Sequence, residues 1–364
     1  MSWLGIRGFC LTDACLLLLA CNDAAAPAWH RMPDPVLSPD TRVIAIGAGF
    51  SSTCALVQSG RLYCWGENRF GELGIGTDSA DSVPTPAHLD SLAVLAVGTQ
   101  GTPRSCALTA SGAAYCWGYN LNGELGDGSN VDRWLPTPVT GELRFRSIAT
   151  SYHTCGISSD SVAYCWGLGL GGALGLGSQS SFNTPQAVHT SRRFLAVGTG
   201  MEFTCALDPG GAPYCWGWSA MIGSVQPEAV ATDTPIAVAT TQRFVSLNVA
   251  EEHTCGLTAT GSAYCWGSLA GPLADSQATP VRVPGLARVR AISGGRTFSC
   301  VLTADSTALC GNLGETLTPI ADSIPFAGLS VGATYACGFT GGGAVFCWDL
   351  FFWPVRRIEI ARAP

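Results

Sequence analysis

No lysine occurs among the 364 residues; all 19 basic side chains are arginine. A phosphate-loop lysine, a Schiff-base lysine and a lysine general base are therefore excluded, and several enzyme classes with them. Charge of either sign is scarce, at 12% of residues where about a quarter is usual, and the formal net charge is −7. The arginines stand singly or in pairs, with no stripe that could follow a phosphate backbone, so nucleic acid is not an expected partner. Long apolar runs are missing as well. The longest aliphatic stretch, residues 14–20, is far short of the roughly 20 residues a spanning helix needs. The mean hydropathy of +0.27 thus points to buried core in a soluble body. No segment keeps a helical period over three turns. The five histidines (His30, His88, His153, His189 and His253) form no H-x-H or H-E-x-x-H pattern, so neither a metal nor any other cofactor is expected.

What the chain has instead is 45 glycines, 17 cysteines and 47% hydrophobic residues, ample for a sizeable core. Residues 1–21 carry Arg7, the run Leu16 to Leu19 and the ending Leu18-Leu19-Ala20-Cys21, which resembles a bacterial lipoprotein signal with its lipobox. Asp13 departs from that pattern. The expected organisation is a signal peptide over 1–21, lipidation at Cys21, a linker over 22–40 and one folded body over 41–364. The alternative is an ordinary signal cut after Ala24-Ala25-Ala26, leaving a secreted protein without lipid. Either places the chain in the cell envelope or outside it, facing an oxidising compartment.

Fourteen cysteines form seven pairs with nine residues between partners: Cys54 with Cys64, Cys106 with Cys116, Cys155 with Cys165, Cys205 with Cys215, Cys255 with Cys265, Cys300 with Cys310, and Cys337 with Cys347. Their first members lie 52, 49, 50, 50, 45 and 37 residues apart, so seven units of one plan follow one another. Pairing Cys54 with Cys64 sets Ala55 opposite Tyr63 and leaves Gln58-Ser59-Gly60 as a hairpin loop, with glycine at the left-handed position. Opposed strand residues lie close enough for a disulfide. A short apolar strand precedes each hairpin, as in Val43 to Ile46, and a glycine-rich loop follows it. Thr-Pro then opens a final strand, at residues 85–86 in the first unit. Proline belongs at sheet edges, so this strand is the outermost of four. The fold expected is all-β, a seven-bladed β-propeller of four-stranded blades with one disulfide per hairpin and blades starting near 41, 92, 143, 192, 242, 287 and 326. A string of EGF-like modules needs denser cysteines. The ring should close through residues 354–358 as the outer strand of the seventh blade, with Pro35 to Leu37 beside it.

The pattern Cys54-Ala55-Leu56, Tyr63-Cys64-Trp65-Gly66, Asn68, Gly71-Glu72-Leu73-Gly74 and Pro84-Thr85-Pro86 resembles the repeat of the regulator of chromosome condensation family in its cysteine-paired bacterial form. The glycine loop is well kept in units one to three and decays from the fourth. One face should therefore be taller beside the early units. The resemblance implies a propeller that works through its faces, as do a nuclear guanine-nucleotide exchange factor, a plant light sensor and a secreted β-lactamase inhibitor of that family. Exchange activity there depends on an inserted wedge, and no wedge-sized insertion occurs here.

The catalytic motifs have structural explanations. Gly167 to Gly172 matches a dinucleotide spacing but no helix follows it. The tryptophan after each second cysteine reads as packing. His153 and His253 share one repeat position, two before the first cysteine, and read as bonding to the neighbouring blade. Glu251-Glu252 is the one adjacent carboxylate pair in the body of the chain, too little for a glycosidase assignment. The candidate functional surface is the set of residues that break the repeat between first and second strands: Phe50, Arg104, Tyr152, His153, Glu202, Phe203, Glu252, His253, Arg296, Phe298 and Tyr335. Aromatic and arginine side chains are those enriched at protein interfaces. The expectation is a monomeric, non-enzymatic binding or scaffold protein, attached to a membrane only by lipid, that recognises an unknown protein or surface macromolecule. The competing readings are exchange-factor activity, an envelope lyase or glycan hydrolase, and a purely structural envelope protein.

Overall fold

The computed structural model describes residues 41–360 apart from 90–91, 98–102, 219–220, 223–230, 269–276, 287, 297, 314, 322 and 350–354. Cys21 and residues 35–37 lie outside the described residues. Seven four-stranded antiparallel sheets follow one another in the sequence, each with its strands in chain order. The first blade holds β1 (Val43–Ala48), β2 (Ser52–Val57), β3 (Leu62–Gly66) and β4 (Asp81–Pro86). The first strands of successive blades touch one another around the ring, and β1 touches the first two strands of the seventh blade, so the ring is closed with the first strands innermost. The Thr-Pro strands are outermost, where the missing proline N–H breaks no ladder.

In each hairpin the two cysteines are direct register partners. The disulfides join Cys54 to Cys64, Cys106 to Cys116, Cys155 to Cys165 and Cys205 to Cys215 in the first four blades. In the last three they join Cys255 to Cys265, Cys300 to Cys310 and Cys337 to Cys347. This is the pairing expected from the nine-residue spacing, and the Cα separations are 4.0–4.1 Å throughout. All the bonded cysteines are fully buried except Cys347, which is partly buried. Seven such bonds are those of a protein that folds in an oxidising compartment.

The left-handed residue of the hairpin turn does a second job. Gly112 (φ 81°) aims its carbonyl at the N–H of Phe145, which opens the next blade, at 2.8 Å. Ser161 and Ser306 take the same conformation in the third and sixth units, at φ 71° and 72°, and accept from Phe194 and Phe326. The turn chosen for the hairpin is thus also the inter-blade join.

The loop between third and fourth strands is built round a buried asparagine. Asn68 Nδ2 donates to the carbonyls of Thr77 and Ser79, and its Oδ1 accepts from Leu73 N at 2.9 Å. Asn120 repeats this with Ser129, Val131 and Leu125. The loops of the first three blades, the third with Gly169 in the asparagine's place, lie over the tryptophan of the following blade: Trp117 Nε1 donates to Glu72 O and Trp216 Nε1 to Ala173 O, both at 2.9 Å. Trp117, Trp166, Trp216, Trp266 and Trp348 are all buried packing residues. The ring closes through the C-terminal segment, where Arg356–Ile358 pairs with the third strand of the seventh blade. The described part of this outer strand begins at Arg356, and residue 354 lies outside the described residues. In the sixth blade, where Gly311 replaces the tryptophan, it shrinks to Thr318–Pro319.

Candidate functional site

Antiparallel order puts the first-to-second-strand turns and the third-to-fourth-strand loops on one face of the ring, and the hairpin tips on the other. On the first of these faces the repeat-breaking residues divide into two groups.

The residue two before each first cysteine starts the second strand and turns into the seam between blades. Arg104 is completely buried. It donates to Ser151 O of the third blade at 2.7 Å and to Glu124 Oε1 at 3.1 Å, under the ring of Tyr119. Burial pushes its guanidinium down from the ordinary value and the Glu124 carboxylate opposes that shift. The Thr204 hydroxyl spends its proton on Ala173 O, so it accepts from His153 Nε2 at 2.6 Å. His253 reaches Ser299 Oγ in the sixth blade at 3.4 Å. Both imidazoles are buried, and burial lowers them to about 3 and about 4, so they are neutral struts. Tyr335 OH donates to Ser52 O at 2.6 Å and accepts from Thr53 Oγ1, closing the seventh-to-first seam; burial raises its phenol. Phe203 is buried against the Trp266 cluster, and half-buried Phe298 packs on the core of the last two blades. Arg104, His153, Phe203 and His253 therefore do not present the expected contact surface: the second strand faces the neighbouring blade at this step, and each side chain goes to that contact.

The residues just before this position stay at the surface around the channel mouth. Phe50 is exposed and, with Glu67, Asp81, Thr334 and Tyr335, lines a shallow groove at the seventh-to-first seam. Further round, Tyr152, Glu251, Glu252 and Arg296 converge from the third, fifth and sixth blades. Arg296 Nε lies 3.4 Å from Glu252 Oε1 and 3.7 Å from Glu251 Oε2. Glu251 accepts the Tyr152 hydroxyl, and Met201 N of the intervening blade donates to Glu251 O. Burial raises the Glu251 carboxyl, against the pull of Arg296. Burial also raises the Tyr152 phenol, with Glu251 adding to it. The half-buried Glu202 borders the cluster from the fourth blade. Both carboxylates of the pair address one exposed guanidinium, an arrangement suited to binding polar groups. Among the described residues no group of three or more His, Cys, Asp or Glu could hold a metal ion.

One part of this face was not legible beforehand. Beside the loops of the first two blades stand Leu121, Val131, Trp134 and Leu135, with 47–63% of their surface exposed. Phe70 and Tyr119 meet edge-to-face at 5.2 Å nearby. Arg133 at the patch is fixed by Asp127 at 2.7 Å. The first blade's loop presses on Trp134 at Gly71, where a Cβ would lie 2.5 Å from the tryptophan Cα. The signal in sequence was Trp134-Leu135 where the first unit has Ser82-Val83, a departure inside the repeat rather than at its turns.

A family model for the regulator of chromosome condensation (RCC1) repeat matches residues 59–97, 111–157 and 160–207, and a second such model matches 43–72. The chain carries RCC1-like repeats over these residues. Among RCC1 relatives it is 34% identical to the human probable E3 ubiquitin-protein ligase HERC4 over 109 residues, 29% of this chain and 10% of that one. It is 33% identical to the ultraviolet-B receptor UVR8 of Arabidopsis thaliana over 109 residues, 29% of this chain and 24% of the receptor. The matched segment thus spans a quarter or less of these relatives. The RCC1-type Prp20p from Saccharomyces cerevisiae superposes with a TM-score of 0.69 over 91% of each chain at 16% identity. The CRINKLY ectodomain of the Arabidopsis thaliana receptor kinase ACR4 gives 0.56 over 88% of this chain and 99% of that one, at 22% identity. At these identities the structures establish the propeller fold.

Proposed function

We propose that this RCC1-type propeller is an exported protein, held at a membrane through Cys21, that binds a protein partner on the face carrying the tall loops. The observation that carries the reading is the exposed patch of Leu121, Val131, Trp134 and Leu135 with Arg133 beside it. Apolar side chains gathered at an exposed site next to arginine and aromatic residues are the composition of an interface centre. The Tyr152, Glu251, Glu252 and Arg296 cluster supplies polar groups on the same face. Phe50, Glu202 and the ring edge of Tyr335 complete the proposed contact set. RCC1 relatives support the protein-binding half: the structure of Prp20p is described with its binding to Gsp1p and histones. The seven disulfides support export, and disfavour nucleotide exchange on a GTPase of a reducing compartment.

Photo-crosslinking residues placed at Leu121, Trp134 and Tyr152 of the full chain, and at Val245 on the other face, test this in envelope extract. One protein recovered from the first three positions and not from the fourth is the expected result. Recovery from Val245 alone would overturn the choice of face. Membrane release by Cys21→Ser tests the anchor separately, and unchanged partition would remove it.

A further inference from the structure

The opposite face, made of hairpin tips and the starts of the innermost strands, carries a pattern that appears once the blades are superimposed on one another. Arginine stands immediately before the first residue of the inner strand, or before the residue equivalent to it, in five blades: Arg42, Arg144, Arg193, Arg243 and Arg288. All five are exposed, and among the described residues none of them makes an ion pair. From the third to the sixth blade these arginines follow one another at 49, 50 and 45 residues, and with Arg42 of the first blade they become a collar round the channel mouth.

A second collar lies two positions on. The register of the inner strand skips Ile44, Arg146, Val245 and Arg290, so each is the extra residue of a bulge. A bulge re-aims the side chain it frees. Ile44 and Val245 are 45% and 67% exposed, and Leu195, at the same place in the fourth blade, is 47% exposed. Arg146 and Arg290 lie across the seam, each donating to the carbonyl of the next blade's first residue, Phe194 and Phe326. Round one rim this position thus holds aliphatic side chains in the first, fourth and fifth blades, guanidiniums in the third and sixth, and Ala327 in the seventh. The carboxylates of this face are tied back to their own hairpins: Asp160 to Ser158 Oγ, Asp208 to the amides of Gly210 and Ala212, and Asp305 to the Thr303 hydroxyl. Glu142 is exposed there as well, and so is Glu359, paired with Arg357 at 3.0 Å. The loop face, by contrast, gathers Glu67, Asp81, Glu202, Glu251 and Glu252 around few arginines.

We infer that this double collar seats the propeller on an anionic lipid surface, its arginines on headgroup phosphates and Ile44, Leu195 and Val245 in the interfacial layer beneath them. A nucleic acid would use the arginines and leave the three aliphatic side chains unsatisfied, whereas a lipid interface takes both. The chain also enters its first strand on this face, at Arg42. Contact of this kind leaves the loop face turned to solvent and its partner, but it does not depend on a partner or on lipidation.

The test uses the full chain with Cys21→Ser, so that no acyl chain contributes, in co-sedimentation with phosphatidylcholine vesicles, with or without a minor fraction of phosphatidylglycerol. Binding to the anionic vesicles only, weakened by high salt, is expected. Each arginine removed should cost about fivefold in partition, so Arg144→Ala/Arg193→Ala/Arg243→Ala should lose about a hundredfold. Leu195→Ser/Val245→Ser should weaken binding at high and low salt alike. Unaltered thermal unfolding of both variants, whose changed side chains are exposed, certifies the fold. Equal partition onto the two vesicle types would overturn the proposal. So would unchanged binding of the triple variant, or arginine-dependent capture of heparin or duplex DNA without vesicle binding.

Discussion

Replacing Arg104 with methionine removes the one fully buried guanidinium among the described residues and leaves its two acceptors, Glu124 Oε1 and Ser151 O, without that donor. Methionine keeps most of the volume, so the change isolates charge from packing. Glu124 would retain the Asn122 N–H at 2.9 Å and the Asn122 amide at 3.2 Å, inside a site where it is 1% exposed. Breaking a buried pair from one side costs about 3–5 kcal/mol. With the usual unfolding entropy per residue, a domain of this size should lose about 4–7 °C in Tm. The first blade offers an internal comparison, because Ser52 stands where Arg104 does and Glu72 is buried with no cation against it among the described residues. Burial raises the Glu72 carboxyl above its ordinary value. A carboxyl raised in the folded state contributes stability below its unfolded pKa that is lost as pH rises through the folded value. The Arg104→Met loss should accordingly be smaller near pH 4 than at pH 7. Calorimetry of Arg104→Met, Glu124→Gln and the double variant measures it, the double being expected to recover at least half the single loss. A cost below about 1 kcal/mol at pH 7, or strict additivity in the double, would refute the strut reading of this position.

The two histidine struts are held neutral, lowered to about 3 and about 4, so their contribution is complete above the unfolded value near 6.5 and is lost as pH falls from there. Substituting both should flatten the acid limb of the stability profile, and a limb of unchanged steepness would count against them. Non-reducing peptide mapping should recover seven intra-hairpin disulfides, and removal of the bond between Cys205 and Cys215 should cost at most about 3 kcal/mol; a bond between blades would break the scheme. Gly126→Ala places a Cβ 2.6 Å from Trp166 Nε1 at φ +71° and should cost about 1–3 kcal/mol. Gly341→Ala, with nothing within 4 Å, should be neutral, and equal effects in the two would dismiss the loop-over-tryptophan join.

The architecture was readable because its determinants are periodic. Cysteine spacing fixes the hairpin register, Gly60 and its counterparts fix the turn, and Thr-Pro marks the edge strand. Closure through the C-terminal segment followed from simple chain order. The face also followed from strand direction, but side-chain direction within it did not. Arg104 and Tyr152 sit at adjacent steps of equivalent turns, and one enters a seam while the other meets Glu251, a distinction set by the blade alongside. Trp134 was hidden in a strand that reads as an ordinary edge. The double collar was hidden because bulges leave no composition signal and five arginines become neighbours only after the ring closes.

The most direct test is the affinity of the crosslinked partner for two sets of variants of the full chain. Leu121→Ser/Trp134→Ser on the loop face should weaken binding about thirtyfold or more, while Arg144→Ala/Arg243→Ala on the opposite face should leave it unchanged. Loss in the arginine variant with none in the loop-face variant would place recognition on the wrong side of the ring and contradict the account.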